Sequence, residues 1–125
     1  MSTRSRVGII DKDKHIKSIY IHFDGYIQGG VGETLFKYYQ DVDTIKALIE
    51  LGDCSILHNT PQETAGSAYG KAPAIENCSL EDLYDNWVES GEDYLYVYSI
   101  PEKQWYVHYL GDEGFRLLED LINEK

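Results

Sequence analysis

The stretch "DYLYVYSIPEKQWYVHYL", residues 93–110, decides the fold. Tyr94, Tyr96 and Tyr98 alternate with Leu95 and Val97. After a short Pro-containing turn, Trp105, Val107 and Tyr109 alternate with Tyr106, His108 and Leu110. A period of two sends successive side chains to opposite faces of a strand, so this segment reads as a β-hairpin. A second hairpin lies near the other end of the chain. "RVGII" (6–10) is one strand, "DKDK" (11–14) a polar turn and "HIKSIYIHF" (15–23) the returning strand. Ile19, Ile21 and Phe23 share one face and are expected in the core, while Tyr20 and His22 share the other.

Helical patterns fill the space between the hairpins. Val31, Leu35 and Tyr38/Tyr39 recur at helical spacing over 31–39. In "DTIKALIELG" (43–52) Asp43 is the expected cap, Ile45, Leu48 and Ile49 form the apolar stripe, and Gly52 stands where a left-handed glycine ends a helix. "CSILH" (54–58) reads as a short strand, and residues 59–77 show no period. Ser79 and Asp82 form a capping box that opens a helix through Val88, with Leu80, Leu83, Tyr84 and Trp87 on one side and Gly91 as its stop. A terminal helix is expected to pack through Phe115, Leu118, Leu121 and Ile122. The expectation is a single α+β domain over 1–125, with an antiparallel sheet from two β-hairpins packed with three or four helices.

Charge is distributed unevenly. Residues 1–40 hold six Lys/Arg against four acids, a net of +2, and the remaining 85 hold five against eighteen, a net of −13. The total of −11 repels bulk nucleic acid and membrane phosphate. It leaves room for a local basic pocket near the N-terminus, or for an acidic face that docks on a basic protein. No apolar run is long enough to span a membrane, and no leader-like apolar stretch stands at the start, so a cytoplasmic location is expected. Cys54 and Cys78 are in no metal-binding spacing and read as reduced thiols.

Three constellations could carry chemistry. His22 and Asp24 close a strand and could share a metal with His108, but no HExxH or CxxC spacing supports them. "GYIQGGVGET" (25–34) has the glycines of a phosphate loop without the Gly-Lys-Ser/Thr ending of a Walker A motif. Its backbone N–H groups, around Gly29 and Gly30, could still hold an anion at a helix start. Eleven tyrosines are a large supply for this length, suited to stacking on bases or to protein interfaces. No serine elbow or activated cysteine is present. Binding without catalysis, cofactor or metal is therefore expected. The candidate ligand residues are Arg4, Arg6, His22, Asp24, Tyr26, Gly29 and Gly30, with Tyr69 and Lys71 from the 59–77 segment. The pocket is expected where the strand ending at His22 meets the helix start after Gly30. A homo-oligomer is expected, because a chain this short has little room for an enclosed site.

"STRSRVGI" (2–9), "IYIHFDGYIQGGVGETLFKYY" (19–39), "IKALIELGDCSIL" (45–57) and "WYV" (105–107) resemble a family of small proteins from bacteriophages and prophages. The family pattern is Thr-Arg-Ser, a strand ending in Tyr-x-His-Trp/Phe-Asp-Gly-Tyr, Gly-Val-Gly with a helix, and Leu-Gly-Asp-x-Ser. Relatives carry an arginine in the loop where this chain has Lys71 in "AYGKAPAI" (68–75). The resemblance implies a phage origin and the cytoplasm of the bacterial host. Small phage proteins of this kind act against host defence, some by sequestering cyclic nucleotide or cyclic ADP-ribose signals at subunit interfaces. By that analogy of role the expected ligand is a small nucleotide-like signal. The alternative is an acidic inhibitor that imitates DNA and binds a basic host defence protein.

Overall fold

The computed structural model describes residues 3–69, 75–77, 79–109 and 114–123. Six strands form one sheet: β1 (Ser5–Ile10), β2 (Ile16–Ile21), β3 (Ile75–Asn77), β4 (Tyr94–Ser99), β5 (Gln104–Tyr109) and β6 (Arg116–Leu117). Their spatial order is β3-β2-β1-β4-β5-β6. Both expected hairpins form, β1 with β2 and β4 with β5, each antiparallel. They meet side by side through a parallel pairing of β1 with β4, in register Val7 to Tyr96, so the sheet is mixed. Every residue of β1 and β4 is buried or half-buried, as central strands covered on both faces require.

Turn chemistry closes each hairpin. Asp11 Oδ1 accepts the backbone N–H groups of Asp13 and His15, and Lys14 takes the left-handed conformation at φ +67°. In the second hairpin Lys103 does the same at φ +57°, its N–H bonding Ser99 O at 2.8 Å.

One face of the sheet carries the main core. Val7, Ile9, Ile19, Ile21, Tyr96, Tyr98, Trp105 and Val107 pack beneath three helices: α1 (Val31–Tyr38), α2 (Val42–Glu50) and, after the single turn α3 (Pro61–Thr64) and α4 (Leu80–Ser90), α5 (Leu118–Asn123). The opposite face is covered by α4, through Leu83 and Trp87 on Ile16, Leu95 and Val97. The α4 boundaries follow the sequence. Ser79 Oγ accepts Asp82 N–H, and Gly91 stops the helix at φ +76°. Gly52, at φ +76°, likewise follows α2.

Several expectations change. The α2 cap is Asp41, whose carboxylate accepts Thr44 N–H at 3.1 Å, and Asp43 lies exposed inside the first turn. Phe23 is 41% exposed rather than buried, because β2 ends at Ile21 and the chain turns at Asp24, whose φ is +58°. "CSILH" is no strand. Only Cys54 bridges, to Ile21 and to Ala68. The 59–77 segment does hold local order. Thr60 Oγ1 accepts Glu63 N–H and also reaches the Glu63 carboxylate, with Pro61 in the first turn, a capping box that starts α3. Phe115 packs on the α4 side of the sheet, whereas Leu118, Leu121 and Ile122 join the main core, so they do not share one helix face.

Burial pushes the Cys54 thiol up to about 11 and raises the phenols of Tyr39, Tyr96 and Tyr98. On heading into alkali the unfolded chain gives up these protons first and then binds fewer than the folded chain, so stability falls as pH rises. The urea midpoint is expected to be lower at about pH 10.5 than at about pH 8. Equal midpoints would show that these groups are not enclosed.

Candidate functional site

The glycine-rich loop after β2 is folded upon its own backbone. Gly25 N–H bonds Thr3 O at 2.9 Å, and the Tyr96 hydroxyl donates to Gly25 O at 2.7 Å. A side chain at Gly30 would strike the carbonyl oxygens of Asp24 and Tyr26. These same carbonyls accept the first amides of α1: Val31 N–H bonds Asp24 O at 2.7 Å, and Gly32 N–H bonds Tyr26 O at 3.0 Å. Gly29, at φ +77°, donates to the Glu33 carboxylate at 3.4 Å. Lys37 also pairs with Glu33 and holds its carboxyl below the usual range. The helix start thus carries an acid, and its leading amides are spent on the loop. The Val31 and Gly32 amides are therefore not open to the anion expected between His22 and the glycines.

Arg6 also departs from expectation. It is buried, with Nε donating to Glu92 Oε1 at 3.0 Å and a terminal nitrogen donating to Ser18 Oγ at 2.9 Å. This guanidinium has no open side toward a ligand and serves to join β1 to the segment before β4.

Other expected residues do come together. Continuing the β1/β2 register beyond Ser5 and Ile21 sets Arg4 beside His22. The Tyr20 hydroxyl lies 2.6 Å from His22 Nδ1, and the Arg4 guanidinium is close enough to act on it. Burial raises the Tyr20 phenol, with the Arg4 charge opposing, and Tyr69 is close enough to act on it. Arg4 is further steadied by Gly91 O at 3.3 Å, at the C-terminal end of α4, where a cation is favoured. Asp53 accepts Tyr20 N–H at 2.8 Å, and its carbonyl accepts Tyr69 N–H at 3.0 Å, which holds the 53–69 segment against β2. Tyr69 is 49% exposed, and the Phe23 ring stands edge-on to His22 at 4.5 Å. Tyr20, Phe23 and Asp53 were not among the expected residues. The period of two that pairs Tyr20 with His22 was the available signal for the first of them.

The remaining candidates lie elsewhere. Tyr26 is exposed near Tyr94, whose ring faces the main-core side of the sheet, and Asp24 is an exposed turn residue. Lys71 lies outside the described residues. His108 is on β5, with β1 and β4 between it and β2, about 14 Å away at ordinary strand spacing. It shares no metal site with His22 and Asp24. Among the described residues no group of three His, Cys, Asp or Glu side chains converges, and no helix is long and apolar enough to cross a membrane.

A cavity of about 620 Å³ opens at the far end of the first hairpin and includes none of the expected residues. Its floor is four isoleucines. Its rim sets Lys17, Lys46 and His15 against Asp11, Glu50 and Glu76, with Lys17 and Glu76 3.4 Å apart. Balanced charges give it little field for an anion. Compared with protein families, curated proteins and solved structures, the chain matches none.

Two stability tests follow from this geometry. Arg6→Ala strands the Glu92 carboxylate and is expected to cost about 3–5 kcal/mol, while Arg6→Met with Glu92→Leu costs less than the single change. Urea unfolding of the two variants decides it; a single change below about 1 kcal/mol would deny the pair its role. Gly30→Ala is expected to destabilise more than Gly29→Ala, for which left-handed strain costs about 1–2 kcal/mol. The reverse order would mean that the loop is not packed on itself.

Proposed function

We propose that the protein is a non-catalytic binder that captures a phosphate-bearing ring compound of the nucleotide class on the Arg4–Tyr20–His22–Tyr69 surface. The observation that supports this is the gathering of the Arg4 guanidinium and the bonded Tyr20 hydroxyl and His22, with an exposed tyrosine beside them. The Arg4 guanidinium keeps donors beyond the one used on Gly91, in a geometry suited to phosphate oxygens. Tyr69 supplies a face for stacking a ring. Cys54 is enclosed, with its thiol raised. The surface is open, and a second copy of the chain would complete it, which is the reason for a homo-oligomer. The phage origin and the role against a cyclic nucleotide or cyclic ADP-ribose signal belong to this proposal through the sequence resemblance.

The test is thermal shift and calorimetry with cyclic mononucleotides, cyclic dinucleotides and cyclic ADP-ribose, because a ligand of the native state raises its apparent stability. Arg4→Ala and Tyr69→Ala are each expected to weaken binding by about 1–3 kcal/mol with the fold retained, and the ligand is recovered unchanged. No shift with any of these compounds, or full binding by both variants, would overturn the reading.

A further inference from the structure

His108 has no part in the surface just described, yet its surroundings are unusual for an imidazole. It is 4% exposed and enclosed by Tyr84, Trp87 and Phe115, whose ring centroids lie 5.2, 5.0 and 5.3 Å away. Its Nδ1 is wholly buried without a partner, as is the neighbouring Trp87 indole N–H. Unpaired buried polar atoms of this kind carry a desolvation cost that a bound group can relieve. Beside the ring is a cavity of about 290 Å³ lined by Leu80, Glu81, Tyr84, His108, Gly114 and Phe115. Tyr84 and Leu80 are both 38% exposed, so the cavity opens to solvent along α4.

The α4 charge beside this opening is of one sign among the described residues. Glu81, Asp85 and Glu89 recur every four residues along α4, all exposed, and Asp82 flanks them. Among the described residues none of the four is in an ion pair. A phosphate-bearing or carboxylate ligand is repelled. A neutral apolar ligand fills the cavity but leaves the imidazole unpaired. A guanidinium on an apolar stem meets each requirement. The stem lies on Leu80, the electron-rich faces of Tyr84 and Phe115 attract the cation, Glu81 offers a carboxylate, and the imidazole offers an acceptor nitrogen. The acidic stripe continues past the cavity for about 12 Å of helix, eight residues at 1.5 Å each. A lone small cation leaves that stripe unused, whereas successive basic side chains of a polypeptide follow it.

We propose that the pocket between α4 and β5 is a docking site for an arginine side chain of a basic protein segment, which runs along the Glu81–Asp85–Glu89 stripe. This site is separate from the Arg4 surface and opposite to it in charge preference.

The probe is a blocked hexapeptide of alternating arginine and serine, titrated into the full chain by calorimetry, with the indole N–H resonance of Trp87 followed by NMR. Binding with a shift of that resonance is expected. The same peptide with citrulline in place of arginine, equal in shape but uncharged, and blocked single arginine are each expected to bind at least tenfold more weakly. Tyr84→Ala and Glu81→Gln are expected to weaken the peptide about tenfold, while Glu119→Gln, an exposed acid on α5, stays within twofold. His108→Phe keeps the cavity filled but removes the acceptor and also weakens binding. Should that variant fail to fold, the exposed Tyr84→Ala still decides the matter. Equal losses for Glu81→Gln and Glu119→Gln would reduce the effect to bulk charge and overturn the site. So would wild-type binding by Tyr84→Ala, equal affinity for single arginine, or no binding at all.

Discussion

Arg6 on β1 and Glu92, two residues before β4, hold opposite charges 3.0 Å apart with almost no access to water. Burying either group alone costs several kcal/mol, so an arrangement of the hairpins that separates them is strongly disfavoured. The pair therefore acts on alignment more than on net stability. It is consistent with a single register between β1 and β4, Arg6 beside Leu95, and Ser18 on β2 satisfies a further guanidinium nitrogen. The rest of the N-terminal strand follows from that alignment. Arg4, two residues upstream, accepts the Asp93 and Tyr94 amides on its carbonyl and donates its own amide to the Asp93 carboxylate. Its guanidinium is left beside the end of α4 and the Tyr20 hydroxyl.

The aromatic supply divides by the same geometry. Tyr39, Tyr96 and Trp105 are enclosed, and each spends its polar tip on a backbone carbonyl: Tyr39 on His58, Tyr96 on Gly25, and the Trp105 indole on Tyr39. These bonds tie the glycine-rich loop and the ends of α1 to the sheet, and they make the buried rings structural. Only the exposed tyrosines remain for recognition. Tyr69 stands in the Arg4 neighbourhood, while Tyr84 stands on the acidic helix. The two proposed surfaces thus present the same kind of side chain beside charges of opposite sign. A net charge of −11 does not exclude an anion site, provided the local cation is held at a helix C-terminus.

Local signals were legible in the chain itself. The period-two patterns located both hairpins, Ser79 and Gly91 bounded α4, and Gly52 marked the end of α2, because each depends only on residues a few positions away. Thr60 with Glu63 was equally local, and it lay hidden in a segment read as periodless. The α2 cap lies at Asp41, two residues before the expected Asp43. Arg4, His22 and Tyr69 could be singled out by residue type, but what surrounds them could not.

What only the tertiary structure decided was which surfaces meet. A period of two shows that Ile21 and Phe23 share a strand face; it does not say where the sheet stops, and Phe23 lies past that edge. Nothing local required β1 to lie parallel to β4, or Phe115 to turn toward α4 while Leu118 turned to the other face. The burial of Arg6 and the meeting of Arg4, Tyr20, His22 and Tyr69 each join segments far apart in the chain. Sequence periodicity and capping report the conformations that neighbouring residues favour. Partners across the sheet are selected by burial and by the pairing of polar groups, and those exist only once the chain has closed on itself.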